Sequence, residues 1–360
     1  MTPVDFCQGR STHSGMDTGE TLAMIVHGPD PFDCGDVGRL LASLGDVRII
    51  VAGVMGRTAA EESGLPCEYC GVPPSQVLAH IDGPAFLLNR GKTPESGRVF
   101  GGIVAGRLGR GLVHVECTPG TVFCWNEGDT VLAACLASVL GYTVEEVRAV
   151  PPDSGSVREV RGCVPGEPVF VNGIVIGRAT TGTVVLRERY GAVEAVSGLL
   201  VKPHGLEKLA RSGPVSLAHA WCKSGQIRQH APAQGGKVQE EGRVIVLDHC
   251  GHRFYERLAP ETCGVLAIGD DTTAVAGHIA AHLGIPVLGI TDGDRDGVVG
   301  GTFPKGSVVL AVTTGRDDEV GLDIAGTIPD GKTDWDKWIA GALKMVEDRA
   351  EIVLDQRRQS

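Results

Sequence analysis

The chain has 360 residues, more than one hydrophobic core usually organises, so we expect two or three domains. A hydrophobic content of 42% and dispersed charges exclude a disordered chain. An aromatic content of 4% and a formal net charge of −11 make nucleic acid and acidic membranes unlikely partners.

The first twenty residues are polar and lack the apolar core of a signal peptide, so residues 1–20 are predicted to be a flexible leader. No apolar run approaches the roughly 20 residues that a membrane-spanning helix needs. We therefore expect a cytoplasmic protein with no membrane segment.

Residues 21–150 alternate short apolar runs with helical stretches, which predicts a Rossmann-like α/β domain: a parallel sheet with helices on its faces. The predicted strands are LAMIVHG, VRIIVAGV, PAFLLN, LVHVEC and TVFCW. The predicted helices are CGDVGRLLASLG, Gly56 to Ser63, Pro94 to about Leu108, and Asp129 to Leu140.

After the proline-rich linker VRAVPPDSGSV, the pattern changes twice. Residues 160–235 contain β-rich runs broken by glycines, which indicates a small β-rich insert. Residues 243–330 return to strands alternating with a helix and predict a second α/β domain, and residues 335–350 predict a closing amphipathic helix.

The charge is uneven between these segments. Residues 151–241 contain 11 Lys and Arg against 8 Asp and Glu, whereas residues 242–329 contain 6 against 12. A basic middle beside an acidic end could hold an anionic substrate against a metal site, and ordinary surface variation is the alternative interpretation.

The strongest functional signal is an acidic cluster after two predicted strands of the second α/β domain. Asp270 and Asp271 follow GVLAIG, and Asp292, Asp294 and Asp296 follow IPVLGIT. Open α/β sheets bind their ligands at the carboxyl ends of strands. Five carboxylates there repel each other unless a cation is present, and oxygen ligands suit Mg²⁺. Each aspartate taken alone could instead be a turn former.

This cluster is not an EF-hand. Asp292, Asp294 and Asp296 match three of its loop positions, but Phe303 stands where the loop needs a bidentate glutamate. A buried strand also precedes the loop where an EF-hand needs a helix.

The pattern strand, Gly-turn, helix, strand and D-x-D resembles the Toprim domain of primases, topoisomerases and related nucleases. The resemblance implies that Asp292 and Asp294 hold Mg²⁺, and we add Asp296 as a third metal ligand. The family has a glutamate after its first strand, whereas this chain has Asp248 there. We assign catalytic roles to Asp248, at the position of that glutamate, and to Asp270 and Asp271 of the acidic cluster.

Most of the chain also resembles an uncharacterised protein family of methanogenic archaea. The segments that carry this resemblance are MIVHGPDPFDCGDVGRLL, LLNRGKTPESG and IGDDTTAVAGHIAAHLGIPVLGITDGDRDG. The family brings no known activity.

A second candidate site is LLNRGKTPESG, residues 87–97, where a helix start follows a strand and could bind an anion. It is not a Walker A loop, because Phe86 stands where that loop needs glycine. A capped helix start with solvated charges is the alternative. The predicted anion-binding residues are Lys92, Thr93, Ser96 and Arg98.

Cys67 and Cys70 form half of a zinc or redox motif, and small buried hydrophobes are the simpler interpretation of these and of Cys117 and Cys124. The leading functional hypothesis is a Mg²⁺-dependent enzyme acting on a small phosphorylated or nucleotide-like substrate. The alternative is a non-catalytic protein with a Toprim-like fold that binds a small anionic ligand or serves in assembly, using the β-rich insert as its interaction surface.

Overall fold

The computed structural model describes residues 21–149, 156–225, 228, 230–233, 235–236, 239–292 and 302–357. The chain divides into two compact units, residues 1–156 and 157–360. The predicted leader, Asp294 and Asp296 lie outside the described residues. Within the described ranges, no helix is both long enough and apolar enough to cross a membrane.

The first unit is built on a seven-stranded sheet with the strand order β3-β2-β1-β4-β5-β6-β7. Its strands are β1 (Ala23–His27), β2 (Arg48–Ala52), β3 (Glu68–Cys70), β4 (Ala85–Asn89), β5 (Leu112–Glu116), β6 (Thr121–Trp125) and β7 (Thr143–Val147). Its helices are α1 (Asp30–Asp33), α2 (Asp36–Leu44), α3 (Val54–Ser63), α4 (Pro74–Ala79), α5 (Pro94–Leu108) and α6 (Thr130–Leu140).

The expected parallel sheet is present in its main part, with one correction. Strands β1 to β5 pair in parallel, but β6 runs antiparallel to β5. Only residues 117–120 connect these two strands. Because a parallel connection needs a crossover of about a dozen residues, a link this short can only form a hairpin.

Alternate residues of the central strands enter two separate cores. Met24 and Val26 of β1 and Leu88 of β4 belong to one apolar cluster, whereas Ile25 and Leu87 belong to another. Both faces of the sheet are therefore covered, which explains why these strands are continuous apolar runs in the sequence.

The second unit begins with two small antiparallel sheets. One has the strand order β13-β10-β9-β14 and the other β12-β11-β8. Their strands are β8 (Val157–Arg161), β9 (Pro168–Val171), β10 (Ile174–Ala179), β11 (Thr183–Arg189), β12 (Ala192–Ser197), β13 (Leu199–Val201) and β14 (Cys222–Ser224). Helix α7 (Pro203–Arg211) follows β13, although the sequence predicted only β-rich structure there.

A six-stranded sheet completes the second unit, in the order β19-β15-β16-β17-β18-β20. Its strands are β15 (Glu241–Asp248), β16 (Thr262–Ile268), β17 (Val287–Thr291), β18 (Val308–Val312), β19 (Thr333–Asp334) and β20 (Ala350–Asp355). Its helices are α8 (Phe254–Arg257), α9 (Asp270–Leu283), α10 (Asp317–Ala325) and α11 (Trp335–Met345). Strands β15 to β18 are parallel, so their carboxyl ends share one edge.

The closing helix is shorter than the predicted range 335–350. Helix α11 ends at Met345, and the chain continues as β20, antiparallel to β18. Glu347 and Asp348 follow Val346, the residue that caps the helix. Negative charge is unfavourable at the carboxyl end of a helix, which favours ending it before these residues.

Gly264 of β16 lies where a side chain cannot fit. A Cβ added there would lie 2.0 Å from the ring of Trp335, a buried residue of α11. We expect Gly264→Ala to lower the free energy of unfolding by about 1–3 kcal/mol, because the indole must shift in a close-packed core. Gly341→Ala in the same α11 is the control, since a Cβ there meets nothing within 4 Å. Equal thermal melts of the two variants would contradict this packing.

Candidate active site in the second unit

The turn between β16 and α9 is built around Gly269, which has a φ of 99°. Residues with a side chain rarely adopt this conformation, and a Cβ there would also lie 2.9 Å from Nε2 of His249. The glycine therefore lets β16 turn sharply into α9 while His249 packs against its backbone. Asp270 and Asp271 then occupy the first turn of α9, and both are buried.

Asp292 follows β17, the neighbour of β16, and lies beside Asp270. The backbone N–H of Asp292 donates to Oδ1 of Asp270 over 3.2 Å. Nζ of Lys202 lies 2.9 Å from Oδ2 of Asp292 and 3.6 Å from Oδ2 of Asp270. Two carboxylates from neighbouring strand ends thus share one ammonium group.

The pKa values of this pair are displaced in opposite directions. Burial, reinforced by the charge of Asp292, raises the pKa of Asp270 to about 7. Burial would also raise the pKa of Asp292, but the hydrogen bond with Asp270 and the charge of Lys202 together lower it. The pair therefore holds its second negative charge with difficulty near neutral pH, which is typical of carboxylates at functional sites.

A second lysine is paired with a second pair of carboxylates. Nζ of Lys208, in α7, lies 2.6 Å from Oδ2 of Asp317 and 3.8 Å from Oδ1 of Asp318. Asp317 and Asp318 open α10, the helix that follows β18, and Asp317 is fully buried. Lys202, which caps the start of α7, and Lys208, in its last turn, thus bring positive charge from the β-rich part of the unit to the acidic strand ends.

Asp271 is buried, with 8% of its surface exposed. Its Oδ1 has no hydrogen-bond partner among the described residues. Burial raises the pKa of this carboxyl, against the opposing charges of Lys223 and His249. Lys223 itself lies over the rings of Phe170 and Trp221, and burial lowers the pKa of its ammonium. Asp271 is therefore an acceptor that these contacts leave unsatisfied.

Asp248 and His249 follow β15. Nδ1 of His249 donates to Oδ1 of Asp248 over 2.6 Å. Burial would lower the pKa of His249, but the hydrogen bond to Asp248 raises it. Nε2 of the same ring faces Asp317 and Asp318 at 3.9 and 3.6 Å. Asp248 therefore holds the imidazole in place.

One cleft within the second unit is lined by the two lysines, by His249 and by three of the carboxylates. Its lining residues are Gly173, Ile174, Val175, Lys202, Gly205, Lys208, His249, Gly269, Asp270, Asp271, Thr272 and Asp292. Three of the predicted site residues, Asp270, Asp271 and Asp292, thus meet in this cleft. Asp248 is not among its lining residues.

The sequence interpretation missed Lys202, Lys208, Asp317 and Asp318. Two signals for them were present. The charge contrast between residues 151–241 and 242–329 indicated that a basic segment could complement the acidic one. Asp317 and Asp318 follow the predicted strand KGSVVLAVT much as Asp270 and Asp271 follow GVLAIG.

The predicted anion-binding residues lie in the first unit, and several have partners there. Thr93 and Ser96 form a capping box: Thr93 Oγ1 accepts from the backbone N–H of Ser96, and Ser96 Oγ accepts from that of Thr93. Arg98 pairs with Glu145 at 2.6 Å. These contacts favour the capped helix start, and an anion site that also uses Lys92 stays a prediction.

A buried glutamate organises the loop before this helix. Glu116, at the end of β5, is fully buried. Its Oε2 accepts from Nδ2 of Asn89 over 2.6 Å, and its Oε1 accepts from the backbone N–H of Gly91 over 2.7 Å. Asn89 Oδ1 in turn lies 3.0 Å from Nδ1 of His27. Glu116 therefore ties the ends of β1, β4 and β5 together.

Cys67 and Cys70 are free and half-buried. Burial raises the pKa of Cys67 to about 11, which disfavours the thiolate that a metal site or redox motif uses. Cys117 and Cys124 are buried within an apolar cluster that Cys67 packs against. These contacts favour the interpretation as small hydrophobes.

Comparison with known proteins places the chain in a family. The model of a family described as an uncharacterised protein conserved in archaea, DUF2117, matches residues 24–332. An uncharacterised protein of Methanocaldococcus jannaschii is 33% identical over 327 residues, covering 83% of this chain and 89% of the relative. No solved structure matches the chain. The chain thus belongs to the archaeal family DUF2117, as the resemblance in its sequence predicted.

Proposed function

We propose that the second unit is a Mg²⁺-dependent enzyme acting on a phosphorylated or nucleotide-like substrate. The observation that carries this proposal is the convergence of Asp270 and Asp292 on the single ammonium of Lys202, at 3.6 and 2.9 Å. A buried carboxylate and a partly buried one that approach each other create a position of strongly negative potential. A divalent cation is stabilised there more strongly than an ammonium, because it carries twice the charge.

The donor set fits Mg²⁺. Asp270, Asp271 and Asp292 offer only oxygen ligands, which hard divalent cations prefer. Oδ1 of Asp271 and Oδ1 of Asp292 are buried without a hydrogen-bond partner in the described part of the chain. Asp294 and Asp296 belong to the proposed ligand set from their sequence positions alone. When bound, Mg²⁺ would polarise a phosphoryl oxygen and neutralise its charge.

The lysines of the cleft supply the positive charge that a phosphorylated substrate needs. A cation bound by the aspartates would release Lys202 from its ion pairs, and its ammonium would then contact phosphate oxygens. Lys208 is placed similarly on the same cleft. Asp248, for which we predicted a catalytic role, does not line the cleft. In this proposal it orients His249, which does line it.

The strand topology supports the Rossmann-like assignment of the first unit and the Toprim-like assignment of the second. In the first sheet, β1 lies between β2 and β4, the strand order of Rossmann-like domains. In the second unit, Asp270 and Asp292 follow neighbouring parallel strands, as in the Toprim resemblance. Asp248 replaces the Toprim glutamate, so we do not extend the proposal to nucleic-acid substrates.

A non-catalytic ligand-binding protein is the second candidate. The observation that favours it is that Lys202 and Lys208 already balance the acidic pairs without a metal. Such a site would bind a small anion directly and would show no dependence on Mg²⁺.

Calorimetric titration with Mg²⁺ separates the two candidates. We expect the wild type to bind Mg²⁺ and Asp292→Asn to bind it at least tenfold more weakly, because one carboxylate ligand is lost. Asp323→Asn is the matched control, since Asp323 is exposed and paired with Arg349. Hydrolysis of p-nitrophenyl phosphate and bis(p-nitrophenyl) phosphate should require Mg²⁺ and be lost in Asp292→Asn. Equal Mg²⁺ affinity in the wild type and Asp292→Asn would overturn the proposal.

A further inference from the structure

Three ligand-type side chains meet where β15 and β18 end, and none of them is a proposed Mg²⁺ ligand. His249, Asp317 and Asp318 each present a ligand atom, and the three atoms lie within 4.8 Å of one another. Nε2 of His249 is 3.6 Å from Oδ1 of Asp318 and 3.9 Å from Oδ2 of Asp317. Two neighbouring ligands of a tetrahedral zinc ion are separated by roughly 3.4 Å, given bonds of about 2.1 Å. The three groups need only small shifts to reach this spacing.

Unpaired polar atoms at this position favour a bound cation. Asp317 has no exposed surface, and its Oδ1 has no hydrogen-bond partner among the described residues. Nε2 of His249 and Oδ1 of Asp318 also have no hydrogen-bond partner among the described residues. Buried polar atoms are nearly always paired, so an unpaired atom on each of these three neighbouring residues requires an explanation.

The orientation of His249 indicates which kind of ion this position would bind. The Nδ1–H group donates a hydrogen bond to Asp248, so a neutral imidazole presents the lone pair of Nε2 to two carboxylates. A lone pair and two negative charges repel one another unless a cation lies between them. A protonated imidazole is the alternative, but 3.6 and 3.9 Å are too long for N–H···O hydrogen bonds. Metal-bound imidazoles usually donate their other ring N–H to a group such as a carboxylate, as His249 does to Asp248.

We propose that His249, Asp317 and Asp318 bind a first-row transition dication of the Zn²⁺ class, which displaces the ammonium of Lys208. The imidazole selects such ions over Mg²⁺, which prefers oxygen ligands. Three protein ligands leave a coordination position open for water or substrate, as in catalytic zinc sites. Lys208, 2.6 Å from Asp317, holds the carboxylates together in the metal-free protein. This site shares no ligand with the proposed Mg²⁺ site and does not depend on it.

Competition with a chromophoric chelator tests the site with Zn²⁺, and Co²⁺ serves as a spectroscopic probe. We expect one bound Zn²⁺ whose affinity falls at least 100-fold in His249→Ala and at least tenfold in Asp318→Asn. Asp318 is partly exposed, so that variant should fold even where a change at buried Asp317 would not. His252→Ala is the matched control, because His252 is exposed in a short 3-10 helix, Gly251–Arg253, that follows His249 in the chain. Asp248→Asn should weaken binding roughly 10–100-fold, because it disturbs the tautomer and orientation of His249.

The Co²⁺ spectrum separates this site from cysteine ligation. Nitrogen and oxygen ligands should give visible d–d bands without the near-ultraviolet charge transfer of a thiolate, and His249→Ala should abolish those bands. Zn²⁺ affinity equal in the wild type and His249→Ala, or thiolate charge transfer in the Co²⁺ form, overturns the proposal. Asp292→Asn should leave Zn²⁺ affinity unchanged, so failure of this site and failure of the Mg²⁺ site are distinguishable.

Discussion

Lys202→Met should unfold at a temperature roughly 6–20 °C below that of the wild type in metal-free buffer at pH 8. Lys202 is the ammonium that Asp270 and Asp292 share, and only 21% of its side chain is exposed. Removing one partner of a buried ion pair costs about 3–5 kcal/mol, because the remaining charges lose their compensation. For a unit of 204 residues each kcal/mol corresponds to about 2–4 °C.

Added Mg²⁺ should restore much of this loss. In the proposed function Mg²⁺ and Lys202 compete for the same carboxylates, so removal of the lysine leaves the site free for the metal. We expect tighter Mg²⁺ binding in Lys202→Met than in the wild type. Binding to the native state raises its stability in proportion to the logarithm of ligand concentration above the Kd.

Lys337→Met controls for the loss of one positive charge. Lys337 pairs with Asp334 while 84% of its side chain is exposed, and such surface pairs contribute little. We expect a change of less than about 0.5 kcal/mol. If Lys202→Met melts like this control, the ammonium does not compensate the acidic pair.

The second large effect is expected at Glu116 in the first unit. Glu116→Ala removes the acceptor of Asn89 Nδ2, which is buried, and of the Gly91 N–H, which is partly buried. Each unsatisfied donor of this kind costs about 1–3 kcal/mol, so we expect the two together to cost about 2–6 kcal/mol. Hydrogen exchange followed by mass spectrometry should locate this loss in β4 and β5. Amides there that exchange by opening of the unit should exchange about 100-fold faster.

Glu68→Ala is the matched control for this variant. Glu68 carries the same charge but is about half exposed, where it pairs with Arg48. An exposed pair of this kind contributes about 0–1 kcal/mol. Equal protection of β4 and β5 in Glu116→Ala and Glu68→Ala would show that the buried contacts of Glu116 do not stabilise the loop.

The sequence by itself determined those strands and turns whose formation depends on short local patterns of residues. Continuous apolar runs such as GVLAI and IPVLGI predicted buried parallel strands, because both faces of such strands are covered. The Gly-Asp-Asp turn predicted an acidic site at a strand end, and Asp270 and Asp292 do lie side by side there. Carboxyl ends of neighbouring parallel strands always share an edge, so their proximity follows from strand order alone.

Only the tertiary structure decided how the charges of that site are balanced. Lys202 lies 68 residues before Asp270 in the chain, and Lys208 lies 109 residues before Asp317. No periodicity or spacing reports such pairs, because they depend on how α7 packs against strands that come later in the sequence. The same holds for Glu116, which reads as an ordinary strand-end residue in LVHVEC yet becomes a fully buried acceptor. Burial and long-range pairing arise when separate elements pack together, and local sequence does not encode them.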